Sequence, residues 1–301
     1  MFQDFLSLQN KFAASEKKAV VVAAAHDEHT LEAVFLAENS FPMQFILVGD
    51  RKRIIDTAKR LGNNSLDENH IIDADDNDDC ARKAVALIRD GSAQVLMKGI
   101  METSTLLKAV LNKQTGIRES ETMSHIALLE IPNYHKLVAI TDAGMIPHPT
   151  LEQKADIVRN AVNFYQKLGF RQPKIAALAA AETVSEKIPE SMDAAALQAM
   201  CECGELGDCI LEGPVSFDLA VSSEAAAIKG YTGKISGDVD ILMVPAIASG
   251  NILSKGLIYW GGAKMAGCIL GAKVPIILVS RGASAEEKLL SIMLCLCANT
   301  K

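Results

Sequence analysis

Short, nearly unbroken runs of Val, Ile, Leu and Ala alternate along this chain with longer stretches whose apolar residues recur at helical spacing. The runs cover residues 18–25, 45–48, 95–98, 174–180, 239–245 and 274–280. A strand with one wet face alternates apolar and polar residues; an unbroken run belongs to a strand covered on both faces. Helical patterns fill the intervals, as at residues 30–38, 51–61, 80–88 and 105–112. Strand and helix in alternation predict parallel sheets wound with helices on both sides, an α/β fold. Residues 124–131 and 136–140 break the rule. They flank Pro132-Asn133-Tyr134-His135 and predict an antiparallel pair.

Helix starts are legible. Thr150-Leu151-Glu152-Gln153 and Ser284-Ala285-Glu286-Glu287 both have the capping-box spacing. The acidic stretch 73–79 predicts a solvated loop. At 301 residues the chain has room for two domains of ordinary size, and the turn Gln114-Thr115-Gly116 is the expected first boundary. The hydrophobic share of 49% and charged share of 22% predict a globular protein with a sizeable core. A formal net charge of −7 argues against a dedicated nucleic-acid binder. No run reaches the ~18–20 apolar residues of a membrane span. Met1-Phe2-Gln3-Asp4 lacks the basic-then-apolar layout of a signal peptide. Seven cysteines without framework spacing predict reduced thiols and a cytoplasmic location.

Several familiar signatures are missing. No G-x-G-x-x-G follows a predicted strand, and neither H-E-x-x-H nor G-x-S-x-G occurs. Cys201, Cys203 and Cys209 lack a nearby fourth ligand, so they predict packing and no metal site.

The densest chemical signal lies near the C-terminus. An apolar run, Val274-Pro275-Ile276-Ile277-Leu278-Val279, leads into Ser280-Arg281-Gly282-Ala283-Ser284 and a capped helix. Open α/β sheets bind ligands at the carboxyl ends of their strands. A helix N-terminus offers unpaired N–H groups and partial positive charge to an anion. Arg281 adds a planar fork that matches phosphate, and Ser280 adds a hydroxyl. The same residues would also serve as a surface arginine and a loop serine.

Residues 241–287 resemble the phosphate acetyl/butyryltransferases, and most nearly the phosphate butyryltransferase branch. The shared elements are Val244-Pro245-x-Ile247-x-x-Gly250-Asn251 with Lys255, Gly271-Ala272-Lys273-x-Pro275, Ser280-Arg281 and Glu286-Glu287. Further blocks agree in order along nearly the whole chain. Among them are Ala25-His26-Asp27-Glu28, Leu47-Val48-Gly49-Asp50, Lys98-Gly99, Thr141-Asp142-Ala143, Pro149 through Asp156, Glu182-Thr183-Val184 and Glu212-Gly213-Pro214.

The resemblance implies two doubly wound α/β domains of the isocitrate/isopropylmalate dehydrogenase type, with a cleft between them. The first would comprise residues 1–116 plus 274–301, the second 117–273. It implies a phosphotransacylase, in which acyl-CoA and phosphate give acyl phosphate and CoA by direct attack in a ternary complex. The acyl group would be butyryl or a branched relative. CoA enters as substrate, with no bound cofactor and no metal. The partners are then acyl-CoA, phosphate and acyl phosphate, with no nucleic acid or membrane, and the chain would form a homodimer or larger homo-oligomer. The alternatives are a phosphate acetyltransferase and a non-catalytic protein that binds acyl-CoA or phosphate.

Residue by residue, the resemblance makes Arg281 the phosphate ligand. Ser280 becomes a hydrogen-bond donor to the thiol or the developing oxyanion. Glu287 aligns with the family's general base, usually Asp, but it also stands at the capping-box position of Ser284. A carboxylate there is expected to keep its charge and make a weak base. Lys98, Thr103, Ser104 and Lys108 are further phosphate candidates. Lys108 replaces a family arginine and loses its bidentate fork. Gly250, Asn251, Asp142 and Gly282 are candidates for the CoA side of the cleft. Ala246 stands where the family often has Asp. His125 and His148 are expected to be structural.

Overall fold

The computed structural model describes residues 2–12, 17–64, 66–278 and 283–298. Its strands run in chain order as β1 (Lys18–Ala23), β2 (Met43–Gly49), β3 (Ile71–Asp73), β4 (Val95–Lys98), β5 (Ser124–Glu130) and β6 (Val138–Thr141). Then come β7 (Lys174–Leu178), β8 (Ile210–Val215), β9 (Ile241–Met243), β10 (Lys264–Leu270) and β11 (Ile276–Ile277). The helices are α1 (Phe5–Phe12), α2 (Glu28–Ser40), α3 (Arg51–Arg60), α4 (Asn77–Arg89), α5 (Thr103–Val110) and α6 (Leu151–Lys167). They continue as α7 (Pro189–Glu202), α8 (Phe217–Val221), α9 (Ser223–Ile228), α10 (Ile247–Tyr259) and α11 (Ala285–Cys297).

The chain forms two compact units. One comprises Gln9–Glu119 and Ala266–Lys301, the other Met1–Leu8 and Ser120–Met265. Three stretches, 1–8, 117–119 and 266–273, fall differently from the division drawn from sequence. Residues from Ala266 join the first unit because Ile269 of β10 pairs antiparallel with Ile276 of β11. The first eight residues join the second unit. There the Phe2 ring lies 5.7 Å from that of Phe170, and Phe5 N donates to Glu130 Oε2 at 2.8 Å.

In the first unit the strand order is β3-β2-β1-β4-β11-β10. All neighbours are parallel except β10 and β11. Val20, Val21, Val22 and Ala23 of β1 are wholly buried, as an unbroken apolar run requires. From β1 the chain passes outward to β2 and β3, then returns to β4 on the other side. The strand order therefore reverses between β1 and β4. Asp27, Asp50 and Asp76 each accept a backbone N–H and cap α2, α3 and α4. The expected loop 73–79 is thus only half a loop. Its second half caps and opens α4, where buried Asp79 pairs with Arg82 and Lys83.

In the second unit the order is β5-β6-β9-β7-β8. The β5–β6 pair is antiparallel, as expected, and the other pairs are parallel. The Thr150–Gln153 capping box forms in full at the start of α6. Strands β3, β8 and β10 were not legible as apolar runs. β8 carries Gly213-Pro214, β10 carries Ala266-Gly267, and β3 has three residues.

A buried ion cluster joins the amino ends of the second unit's parallel strands. The Lys136 side chain has no exposure, and its Nζ lies 2.7 Å from both Asp240 Oδ1 and Asp238 Oδ1. Asp240 Oδ2 accepts Lys174 N at 2.8 Å, and its backbone carbonyl accepts Ala139 N and the Tyr165 hydroxyl. Burial tends to raise the Asp238 pKa, but hydrogen bonds from Lys136, Lys174 and His135 hold it well below the usual carboxylate range. Breaking such a pair leaves a buried charge uncompensated. Lys136→Ala is therefore expected to lose about 3–5 kcal/mol in urea unfolding. The double change Lys136→Met with Asp240→Asn, which removes both charges, should recover part of that loss.

Candidate active site

The carboxyl ends of β1 and β4 lie at the strand reversal of the first unit, where open α/β sheets hold their ligands. Two backbone features shape this point. Ala24 has a φ of 59°, the left-handed region. Gly99 passes so close that a Cβ there would stand 2.2 Å from the Ala24 carbonyl oxygen. Gly99 N donates to Ala23 O at 2.8 Å, and Ile100 N to Ala24 O at 3.0 Å. The chain then leaves the sheet and enters α5.

The α5 cap residue, Glu102, makes no side-chain cap bond to the helix. The N–H groups of its first turn, together with the exposed Thr103 and Ser104, form an end suited to an anion. Lys98 is used otherwise. Its ammonium donates to Gly99 O at 3.2 Å and Met101 O at 3.0 Å, bracing the loop. Lys108 stands one turn beyond Ser104 and lines a cavity of about 490 Å³ with Asp75, Asp76, Asp78 and Asp79.

His26 and Asp27 follow the carboxyl end of β1, and His26 Nδ1 lies on the β2 side, 3.1 Å from where a Cβ on Gly49 would stand. His26 Nδ1 and Asp27 Oδ2 are buried without hydrogen-bond partners among the described residues. Burial, then the nearby Arg53, lowers the His26 pKa and keeps the imidazole neutral. Chemistry-bearing residues directly after an apolar run were the available signal, but the sequence assigned them no role.

β11 lies beside β4, with Ile276 opposite Leu96 and Ile277 opposite Met97. One further step of that register sets Leu278 against Lys98. The segment after β11 therefore starts one strand away from the loop that opens α5. Ser280, Arg281 and Gly282 belong to that segment and lie outside the described residues.

Description resumes at Ala283. Ser284 Oγ accepts Glu287 N at 3.1 Å and caps α11. The reciprocal bond of a capping box, in which the Ser284 N–H would donate to the Glu287 carboxylate, is not made among the described residues. That carboxylate is half-buried, and burial raises its pKa above the ordinary 4.5. This overturns the expectation of a low pKa at a helix start. The backbone N–H carries the cap, and desolvation governs the carboxylate.

The remaining candidates sit in the second unit at the carboxyl ends of β6 and β9. Asp142 is buried and anchors its own loop. Oδ1 accepts from Gly144 N at 2.8 Å, Met145 N at 3.0 Å and His125 N at 3.2 Å, and Oδ2 accepts from Ile146 N at 3.0 Å. His125 is kept neutral by burial, while His148 is exposed. Gly250 is buried in α10, where a Cβ would meet Val244 Cγ2 at 2.9 Å and Ala143 Cα at 3.0 Å. Its close approach is helix packing. Asn251 beside it is exposed. Among the described residues no group of three or more His, Cys, Asp or Glu stands ready for a metal.

A helix start with exposed hydroxyls beside a glycine-shaped strand reversal is an arrangement that suits an anion. Comparison with known proteins makes the class specific. The family model for Phosphate acetyl/butaryl transferase matches residues 74–296. A probable phosphate butyryltransferase from Bacillus subtilis is 42% identical over 97% of each chain. A phosphate acetyltransferase from Thermotoga maritima is 37% identical over 96% of this chain and 98% of its own. The crystal structure of a branched-chain phosphotransacylase from Enterococcus faecalis superposes with a TM-score of 0.83 at 37% identity, covering 93% of this chain and 98% of that one. The chain belongs to the phosphate acetyl/butyryl transferase family.

Proposed function

We propose that this chain transfers a short-chain acyl group, butyryl or a branched relative preferred, between CoA and phosphate. The observation that carries the reading is the adjacency of the β4 and β11 ends. β11 lies beside β4, whose chain goes on to open α5, and Glu102 makes no side-chain cap bond there. The full-length similarity to phosphate butyryltransferases supports the acyl preference. Similarity to phosphate acetyltransferases keeps acetyl-CoA as the competing substrate.

In the direction of acyl-CoA synthesis, the CoA sulfur attacks the carbonyl carbon of acyl phosphate, and phosphate departs with the electrons of the broken C–O bond. The phosphate is held by Arg281 and the first turn of α5, with the Thr103 and Ser104 hydroxyls beside it. Lys98 contributes by shaping the loop, and Lys108, among four aspartates, contributes charge at the edge. Ser280 donates to the developing oxyanion. Glu287 takes the thiol proton, and its raised pKa brings it closer to its task than an ordinary carboxylate. Asp142 holds the second unit's loop, and Gly250, Asn251 and Gly282 are our candidates for contact with CoA. CoA is a substrate here and no other cofactor takes part. We read the protein as cytoplasmic because its cysteines carry free thiols. No described helix is long and apolar enough to cross a membrane.

We also propose that the chain works as a homo-oligomer. Ile252 and Tyr259 lie seven residues apart on one face of α10, and Trp260 follows. They are 72%, 79% and 93% exposed, a large apolar surface to leave in water. Trp260 is the chain's single tryptophan. Its emission should therefore be blue-shifted at high concentration and move red on dilution, in step with mass by light scattering. A monomer with unchanging emission would discard this reading.

The activity test follows thiol release from acetyl-, propionyl-, butyryl- and isobutyryl-CoA, with and without phosphate. Phosphate-dependent release, fastest with butyryl or isobutyryl, is expected. Tight CoA binding with no turnover would favour a non-catalytic role. Arg281→Ala should lower kcat/KM by at least about 100-fold while the chain stays folded, the scale of losing a charge-stabilising contact.

Glu287→Gln separates base from cap. A base should give kcat/KM that rises with pH through a carboxyl pKa above 4.5. The variant should lose that limb and about 10²–10⁴-fold in rate. A folded-state pKa above the unfolded value means that ionisation costs stability as pH rises. At pH 7 the neutral Gln should therefore leave Tm unchanged or raise it. A fall in Tm with kcat intact would reassign Glu287 to the cap.

A further inference from the structure

The loop between α7 and β8 brings two thiols together away from every residue assigned above. Cys201 lies in the last turn of α7, and Cys209 immediately precedes β8. Their Sγ atoms are 3.6 Å apart, and the Cys201 thiol also reaches the Cys209 carbonyl at 3.5 Å. Both side chains are partly exposed. The chain between them turns through Gly204 and Gly207, with φ of 78° and 86°. α7 and β8 are further joined by Gln198 Oε1, which accepts Gly213 N at 3.0 Å.

We propose that Cys201 and Cys209 are an oxidisable pair that closes reversibly into an intramolecular disulfide. Three observations support it. A disulfide needs its sulfurs at about 2.0 Å, so closure asks for a shift of roughly 1.6 Å from the present contact. The two residues flank a short loop turned by two glycines in the conformation that costs glycine least, so the ends can approach without disturbing either element. Partial exposure gives a small oxidant access, which the wholly buried Cys268 and Cys295 do not share.

The chemistry balances with a disulfide oxidant of the glutathione class. The Cys201 thiolate attacks one sulfur of the oxidant, forming a mixed disulfide and releasing one glutathione thiolate. The Cys209 thiolate then attacks the Cys201 sulfur and expels the second glutathione. Two thiols are oxidised, one disulfide is reduced, and the two protons end on the released thiols. Burial, then the neighbouring Cys201, pushes the Cys209 thiol up to about 12, and the balance is the same if the two thiols exchange roles. Cys203, exposed in the same loop, is a competitor for the oxidant.

The test exposes the reduced, full-length protein to oxidised glutathione, blocks remaining thiols and maps the peptides by mass spectrometry. A Cys201–Cys209 linked peptide is expected, two hydrogens lighter than the reduced pair and restored by dithiothreitol. Cys203→Ser should leave that link intact. Cys201→Ser should abolish it and trap glutathione, if anywhere, on Cys203. Thermal melts should show the oxidised wild type above the reduced by a few degrees, a gain absent in Cys201→Ser. The wild-type peptide map needs no variant, so a poorly folding substitution does not blunt the test. A stable mixed disulfide at Cys201 without closure would overturn the proposal. So would a link from Cys203 to another thiol, or two thiols that stay unlinked under an excess of oxidant.

Discussion

The backbone contact between Gly99 and Ala24 is the constraint on which the candidate site rests. Strands β1 and β4 end side by side, and their exits would collide if both turned as ordinary residues do. The chain resolves this with a residue lacking a side chain on one strand and a left-handed residue on the other. Gly99 N and Ile100 N then pair with the carbonyls of Ala23 and Ala24. Those bonds set the direction in which the chain leaves β4 and aim the start of α5 at the reversal. Any side chain at position 99 would have to displace a carbonyl from 2.2 Å, with no flexible group there to give way.

Much of the fold was legible because burial on both faces leaves a plain mark. The runs at 18–25, 45–48 and 95–98 became β1, β2 and β4 with close bounds. The mark fails where something other than burial of large side chains holds a strand. β8 tolerates Gly213-Pro214, and β10 is paired through a stretch of small residues. Among the described residues of the run at 274–280, Ile276 and Ile277 form the strand, where β4 meets both and β10 meets Ile276.

For the candidate residues, position in the chain was easier to read from sequence than what each side chain touches. Asp142 follows a strand and was expected on the CoA side of the cleft. Its carboxylate accepts four backbone N–H groups, three of them in the loop that it begins. Sequence spacing cannot tell a carboxylate that meets substrate from one that holds its own loop, since both follow strands. Glu287 shows the opposite error. Its spacing from Ser284 suggested a charged cap, but the cap bond runs through the backbone N–H and the carboxylate is left to burial. Spacing locates a group. The surrounding dielectric, which depends on distant packing, decides its charge.

The same distinction reshapes how an acidic chain can hold anionic substrates. A net charge of −7 called for positive charge gathered locally, and Lys98, Lys108 and Arg281 were the expected sources. Lys98 instead directs its ammonium to two backbone carbonyls, and Lys108 shares its cavity with four aspartates. Side-chain charge alone is then a weaker means of holding phosphate than the sequence implied. Backbone N–H groups at a helix start have an advantage here. They carry only partial charge, need no counter-ion when the site is empty, and are already oriented by the fold. Here Lys98 is spent on the loop, and the first turn of α5 offers donors whose direction the fold has already fixed.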